Sequence, residues 1–434
     1  MSHPLTRIGV VLIASIALVL FSPVQAQPST DGSVPSADSL RLSDLVQQAV
    51  SANPDLQAAR LEAAARAEKV AQARSWPEPT VGATYFPRSI VTARGAQRSQ
   101  WRVQQTLPVP GSRSLRGEVA ELGADVVHRQ TEALQQEVAL NVRRAYYTLY
   151  RVQRQEQLIR RFQDDLRQAE DVALAQYEVG EEGQPAVLKA QIERERLQVR
   201  LESLDAARQR TVQTLARLTG NASLATDGAI YVQAPRRERV VSARVEDALA
   251  QRPEVAALQQ SVKQAERKVD LVQREKWPDV TVGAQYFDIE STGLTPMMDG
   301  RDALALSVGV KIPLWRGAER AQVDEAVLQR RAAESRLDAL ALDVRTDLQR
   351  LEATLDRQER QLRILDATLI PRAETALEAT LSAYRTGQSD FLDLLDAERT
   401  LFQLQLDRAT IFSRLLTTQA EQDRVAGRTA VSDR

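Results

Sequence analysis

The sequence predicts a mixed α and β chain, mostly α, built as a duplicated unit of long coiled-coil helices plus two strand pairs. Three observations carry that prediction. Apolar or small residues recur every seven positions at Ala341, Leu348, Leu355, Leu362, Leu369, Ala376 and Ala383, with a companion seam at Leu337, Val344, Leu351 and Leu365. That spacing makes neighbouring helices wind round one another. Second, whole motifs recur at an offset of about 200 residues. Third, four short segments alternate apolar with polar or small residues, the period-2 pattern of strands with two unlike faces.

Taken in order, the chain opens on Arg7, an apolar run from Ile8 to Phe21, and Val24-Gln25-Ala26. This is the layout of a secretory signal, with cleavage expected after Ala26. The run is short for the roughly 20 residues of a spanning helix. No later stretch is apolar enough to be one, so a membrane segment in the mature chain must be made of strands.

The first copy, 27–219, reads as helices over Leu42 to Ser51 and Pro54 to Arg74, with Asn53 as a cap before a first-turn proline. A strand pair follows at about 78–107. Val81, Ala83 and Tyr85 oppose Thr80, Gly82 and Thr84; then Trp101, Val103 and Leu107 oppose Arg102, Gln104 and Thr106. Gln105 falls on the apolar side, and the segment from Pro87 to Ser99 reads as a loop. A long hairpin over about 111–219 carries its seam at Val138, Ala145, Val152, Ile159, Leu166 and Ala173, turns at Gly180 to Gln184, and returns from Pro185 to Thr219. A polar linker, 220–242, joins the copies.

The second copy, 243–425, repeats the plan. Asn53-Pro54-Asp55-Leu56 is echoed by Arg252-Pro253-Glu254-Val255, and Trp76-Pro77 with its strand by Trp277-Pro278 with its own. The strand pair at about 279–314 sets Val280, Val282, Ala284, Tyr286, Leu304, Leu306, Val308, Val310 and Ile312 on one side. A loop joins the two strands from about Glu290 to Asp302. A helix from about Gly317 to Tyr384 would be a rod of roughly 100 Å, and the last helix runs from Phe391 to about Val425. Residues 426–434 read as a flexible tail.

The apolar side of the strands faces either a core or lipid. Trp76, Trp101, Trp277 and Trp315 all fall in or beside strands, as the aromatic girdles of outer-membrane barrels do. Four strands cannot close a barrel, and lipid tolerates no open edge, so strands in a membrane must be pooled between copies. Two copies give eight strands and a filled lumen; three give twelve and an open bore.

Other function classes find little in the residues. With 57 basic and 58 acidic residues nothing points to a nucleic-acid partner. There is no Cys, and His128 is the sole histidine beyond the signal. No Gly-rich phosphate loop or nucleophile elbow is present, so no catalytic residue, metal site or cofactor is assigned and the chain does not read as an enzyme. Met297-Met298 is a single loop pair with no further soft ligand beside it.

Together these features resemble the TolC-like outer-membrane efflux protein family over essentially the whole mature chain. The most specific stretch is Tyr384-Arg385-Thr386-Gly387-Gln388-Ser389-Asp390-Phe391-Leu392-Asp393-Leu394-Leu395-Asp396-Ala397-Glu398, which looks like that family's second hairpin tip. Leu107-Pro108-Val109-Pro110-Gly111 with Arg113 and Arg116 is similar to the CzcC-like metal-efflux branch. The resemblance implies a homotrimer whose strands share one outer-membrane β-barrel, continued by a periplasmic α-helical barrel. It implies a passive conduit that exports small molecules or metal cations from a periplasmic adaptor and an inner-membrane pump of the resistance-nodulation-division type. Asp393 and Asp396 match the family's acidic pair at the closed entrance, Asp390 extends their helix face, and Tyr384 matches a tyrosine that holds the entrance shut. Val179, Gly180, Thr386 and Gly387 match the tips that receive the adaptor. The family's first-tip carboxylate is replaced by Ala186, after Pro185. A periplasmic coiled-coil adaptor is the alternative; it would carry one hairpin, where this chain has two.

Overall fold

The computed structural model describes residues 40–178, 183–225, 231–235, 243–293, 300–312 and 314–428. The signal segment, Val179 and Gly180, most of the linker, Met297-Met298 and the last six residues lie outside the described residues.

The described chain is mostly helical, with one small antiparallel sheet. In the first copy, α1 (Leu42–Ala52) and α2 (Pro54–Arg74) are joined at Asn53, which does two jobs. Its Oδ1 accepts from the Leu56 amide at 3.0 Å, capping α2, and its Nδ2 donates to the Leu218 carbonyl at 2.9 Å. A cap that also stitches two helices together is buried without an unsatisfied group. Strands β1 (Thr80–Thr92) and β2 (Gly95–Leu107) lead into α3 (Ser112–Glu178), unbroken for 67 residues, and α4 (Gln184–Thr219) returns beside it.

The second copy has α5 (Val245–Gln251), α6 (Pro253–Arg274), β3 (Val280–Glu290) and β4 (Ala303–Val310). Its long helix is not the single rod the heptads suggested. It is α7 (Arg316–Ile364) and α8 (Ile370–Arg385), joined by a π-helical turn at Leu365–Leu369. The cause is Pro371, which has no amide hydrogen to give and whose ring crowds the carbonyl four residues back; a π turn relieves both by adding a residue. The extra residue rotates the seam. Val344, Leu348, Leu351, Leu355, Leu362 and Leu365 are buried, but the next buried position is Ala373, eight residues on, while Leu369 is 39 % exposed and Ala376 is exposed too. The final helix, α9 (Phe391–Val425), packs on α3 and on α7.

Two further boundaries move. The loop expected from Pro87 to Ser99 is mostly sheet: pairing resumes at Ile90↔Gln97 and continues to Thr92↔Gly95, and only the stretch around Pro87 is irregular. Proline cannot donate to the ladder, which puts the irregularity there. The tail begins later than Ala426. Ala426 is buried, and Gly427, at φ +71°, lies so close to the Gln251–Arg252 backbone that a Cβ would sit 2.8 Å from it.

Candidate functional site

The sheet runs β1-β2-β3-β4, antiparallel throughout, with β1 and β4 as edges. Its register lines up like side chains across all four strands: Val81, Val103, Ala284 and Leu306 form one row, and Ala83, Trp101, Tyr286 and Leu304 the next. The result is one continuous apolar face, and it is uncovered. Val81 is 67 % exposed, Leu304 70 %, Leu306 81 % and Val308 74 %. Gln105 fits this face because its amide turns back, donating to the Pro77 and Thr106 carbonyls at 2.7 and 3.0 Å.

The other face is polar and tight. Gln100 donates to Gln285 at 3.0 Å, and the Thr106 and Thr281 hydroxyls lie 3.5 Å apart. A Cβ on Gly283 would meet Ser307 Oγ at 2.7 Å and Gln104 Cγ at 3.1 Å. Only small residues fit where such side chains converge.

All four tryptophans are exposed, but they do not form two girdles. Trp76, Trp277 and Trp315 sit where the strands meet the helices, each outside its strand; Trp101 lies within β2, paired with Ala83 and Tyr286. The described sheet therefore has one tryptophan edge, on the helix side. Trp76 is held there by Arg113, whose guanidinium carbon lies 3.7 Å from the ring centroid.

At the far end of the second hairpin, α8 closes on Gly387. The Gly387 amide donates to the Tyr384 carbonyl at 3.1 Å and the Gln388 amide to the Ala383 carbonyl at 2.8 Å, the paired bonds of a Schellman ending. That ending needs φ > 0, and Gly387 has φ +70°. Thr386 and Gly387 are exposed at the turn. Tyr384 is half-buried and meets the buried Phe391 edge-on, centroids 6.2 Å apart, so it fastens the start of α9 to the end of α8.

The three aspartates are not equivalent. Asp390 is the N-cap of α9, its Oδ1 accepting from the Asp393 amide at 2.9 Å. Asp393 accepts from Ser389 Oγ at 2.9 Å. Asp396 is exposed one turn further along the same face. Negative charge at a helix N-terminus also complements its dipole, so part of this acidic pattern is structural. Ala186 is buried at 3 % exposure beside Ala190 and Phe391; a carboxylate there would be inside the packing.

Sequence reasoning missed Glu398. Burial, and secondarily the charge of Asp165, push its carboxyl up to about 7, and its Oε2 is buried without a hydrogen-bond partner. Nothing in its local sequence marks it, because its burial comes from packing near α3. Among the described residues no group of three His, Cys, Asp or Glu side chains is placed to hold a metal ion, and no described helix is long and apolar enough to cross a membrane.

The family described as outer membrane efflux protein matches residues 45–221 and 245–428, two segments that divide where the duplication does. The cobalt-zinc-cadmium resistance protein CzcC of Cupriavidus metallidurans is 22 % identical over 397 residues, 91 % of each chain. Among solved structures, a membrane protein from Pseudomonas aeruginosa aligns with TM-score 0.79 at 17 % identity, over 95 % of this chain and 98 % of its own. The outer membrane protein VceC from Vibrio cholerae aligns with TM-score 0.75 at 18 % identity, over 89 % and 96 %.

Proposed function

The chain belongs to the outer membrane efflux protein family, and from that premise we propose that three copies form one passive conduit across the outer membrane and into the periplasm. The observation that carries this reading is the uncovered apolar face, unbroken in register across four strands. Each large side chain on it stands to gain about 1.5–3 kcal/mol on leaving water. Lipid covers the face but not the open edges of β1 and β4, whose unpaired backbone groups would cost several kcal/mol each. Joining β4 of one copy to β1 of the next removes every edge, and twelve strands leave a bore. The polar, close-packed face then lines the lumen, and the tryptophan edge lies at the periplasmic boundary of the membrane.

At the tip, threefold symmetry turns Asp393 and Asp396 into stacked carboxylate rings that favour cations, with Tyr384 bracing the closed entrance. Val179, Gly180, Thr386 and Gly387 receive a periplasmic adaptor, which couples the conduit to an inner-membrane pump of the resistance-nodulation-division type. CzcC is named for cobalt, zinc and cadmium resistance, which supports metal cations among the cargo. The test is a deletion strain complemented with the full chain. Restored resistance to these metals, with a heat-modifiable trimer in outer-membrane fractions, is expected. A chain recovered as a monomer without detergent would overturn the reading.

A further inference from the structure

Between α3 and α4 lies a groove enclosing about 570 Å³, whose lining includes Arg144, Thr148, Arg151, Arg210, Thr214 and Arg217. It is on the side of α3 away from Tyr146, whose hydroxyl donates to the Leu40 and Gln233 carbonyls at 3.2 and 2.9 Å. The arginines recur seven residues apart on each helix, and α4 runs back along α3, so they fall into two layers. In the layer nearer the sheet the charge is compensated: Arg144 pairs with Glu421 of α9 at 2.8 Å and Arg217 faces Asp55 at 3.7 Å.

The layer nearer the tip is different. Arg151 donates to the neutral Gln155 at 3.1 Å, and Gln155 donates on to Thr410 at 3.1 Å, which fixes the guanidinium in place. Burial, and secondarily the charge of Arg414 on α9, pull the Arg151 pKa down. No described carboxylate pairs with Arg151, Arg210 or Arg414. The threonine hydroxyls of the groove donate to helix carbonyls, at 2.8 Å for Thr148, 2.7 Å for Thr211 and 2.9 Å for Thr214. The free donors are therefore the guanidiniums.

We propose that this layer is a binding site for a tetrahedral oxyanion such as sulfate or phosphate. Arg151 and Arg210 line the crevice from two helices without a carboxylate partner, and Arg414 on the neighbouring α9 opposes the charge of the half-buried Arg151. Their planar forks match the paired oxygens of such an anion, which a spherical halide cannot satisfy. The anion is soluble rather than a lipid headgroup: Arg151 follows the start of α3 by about 40 residues, roughly 60 Å of helix from the sheet. Only the choice of a soluble anion rests on the membrane reading; the site itself does not.

The test is calorimetric titration of the purified full chain in detergent with sodium sulfate and with sodium phosphate, at ionic strength held constant with sodium chloride. Saturable binding is expected, weakened at least tenfold in the variant carrying Arg151→Gln and Arg210→Gln. In chloride alone that variant should melt no lower than the parent, because it removes repulsion and no ion pair. Absence of saturable heat, undiminished binding in the variant, or equal binding with vesicles of anionic lipid in place of the free salt would each overturn the proposal, while the conduit reading would be untouched.

Discussion

The sheet and the heptad seams of α3, α4 and α9 point their apolar residues in opposite directions. Along α3, α4 and α9 the seams face inward and close completely: Phe162 and Phe402 stack with centroids 4.5 Å apart, and Val152, Ile159, Leu166, Leu197, Phe391 and Leu406 are all buried. On the sheet the same kinds of side chain are among the most exposed in the molecule. These three seams find their partners in the same copy. The apolar face of the strands does not, so its partner lies outside the chain, and the two regions should respond to mutation in opposite ways.

Leu306→Arg should separate them most sharply. At 81 % exposure the side chain touches little within its own copy, so the melting of the isolated chain should barely change. In a barrel the arginine faces lipid at a cost of about 2–4 kcal/mol per copy, three times over; blotting of outer-membrane fractions should show the trimer lost. Phe391→Ala tests the other side. It should cost about 3–5 kcal/mol by denaturant unfolding, as large core truncations do, and loosen the Tyr384 contact with it.

Glu398 lies in the inward-packed region, and its titration gives a smaller effect. Its folded pKa of about 7 is above its ordinary 4.5, so the fold prefers the neutral acid. Stability contributed by that preference is full below about pH 4.5 and is lost as pH rises towards 7. Discounted for partial exposure, the change is on the order of 2 kcal/mol. Glu398→Gln should flatten this slope and raise the melting temperature at pH 8 while leaving it nearly unchanged at pH 4.5. Smaller again is Gly387→Ala, which puts a Cβ on a φ of +70° and should cost about 1 kcal/mol. Asp393→Asn with Asp396→Asn should hardly affect stability, yet should lower cation selectivity in single-channel recordings. An unchanged selectivity would remove the carboxylate rings from the account of the entrance.

Much of this division is legible in the residues. The alternation of Leu304, Leu306, Val308 and Val310 needs no tertiary information, because strand period alone sets which side each occupies. The heptads place the buried side of α7 correctly as far as Leu362 and fail just beyond it, since a count of sevens does not register the residue that the π turn adds before Pro371. At the tip, Gly387 follows from its turn chemistry. That Asp390 is spent on capping is also a local rule, and weighing it would have separated it from Asp396. Glu398 and the Arg151 layer are different in kind. Each depends on which side chains neighbouring helices bring alongside, at distances of more than 200 residues along the chain.

The most direct measurement is disulfide cross-linking between the two edge strands. The chain has no cysteine of its own, so pairs of single cysteines placed along β1 and β4 can be scanned through the registers that antiparallel pairing permits. At least one register should yield a covalent trimer on a non-reducing denaturing gel of outer-membrane fractions, collapsing to single chains on reduction. Single chains in every register, from folded protein in that membrane, would contradict a barrel shared between copies.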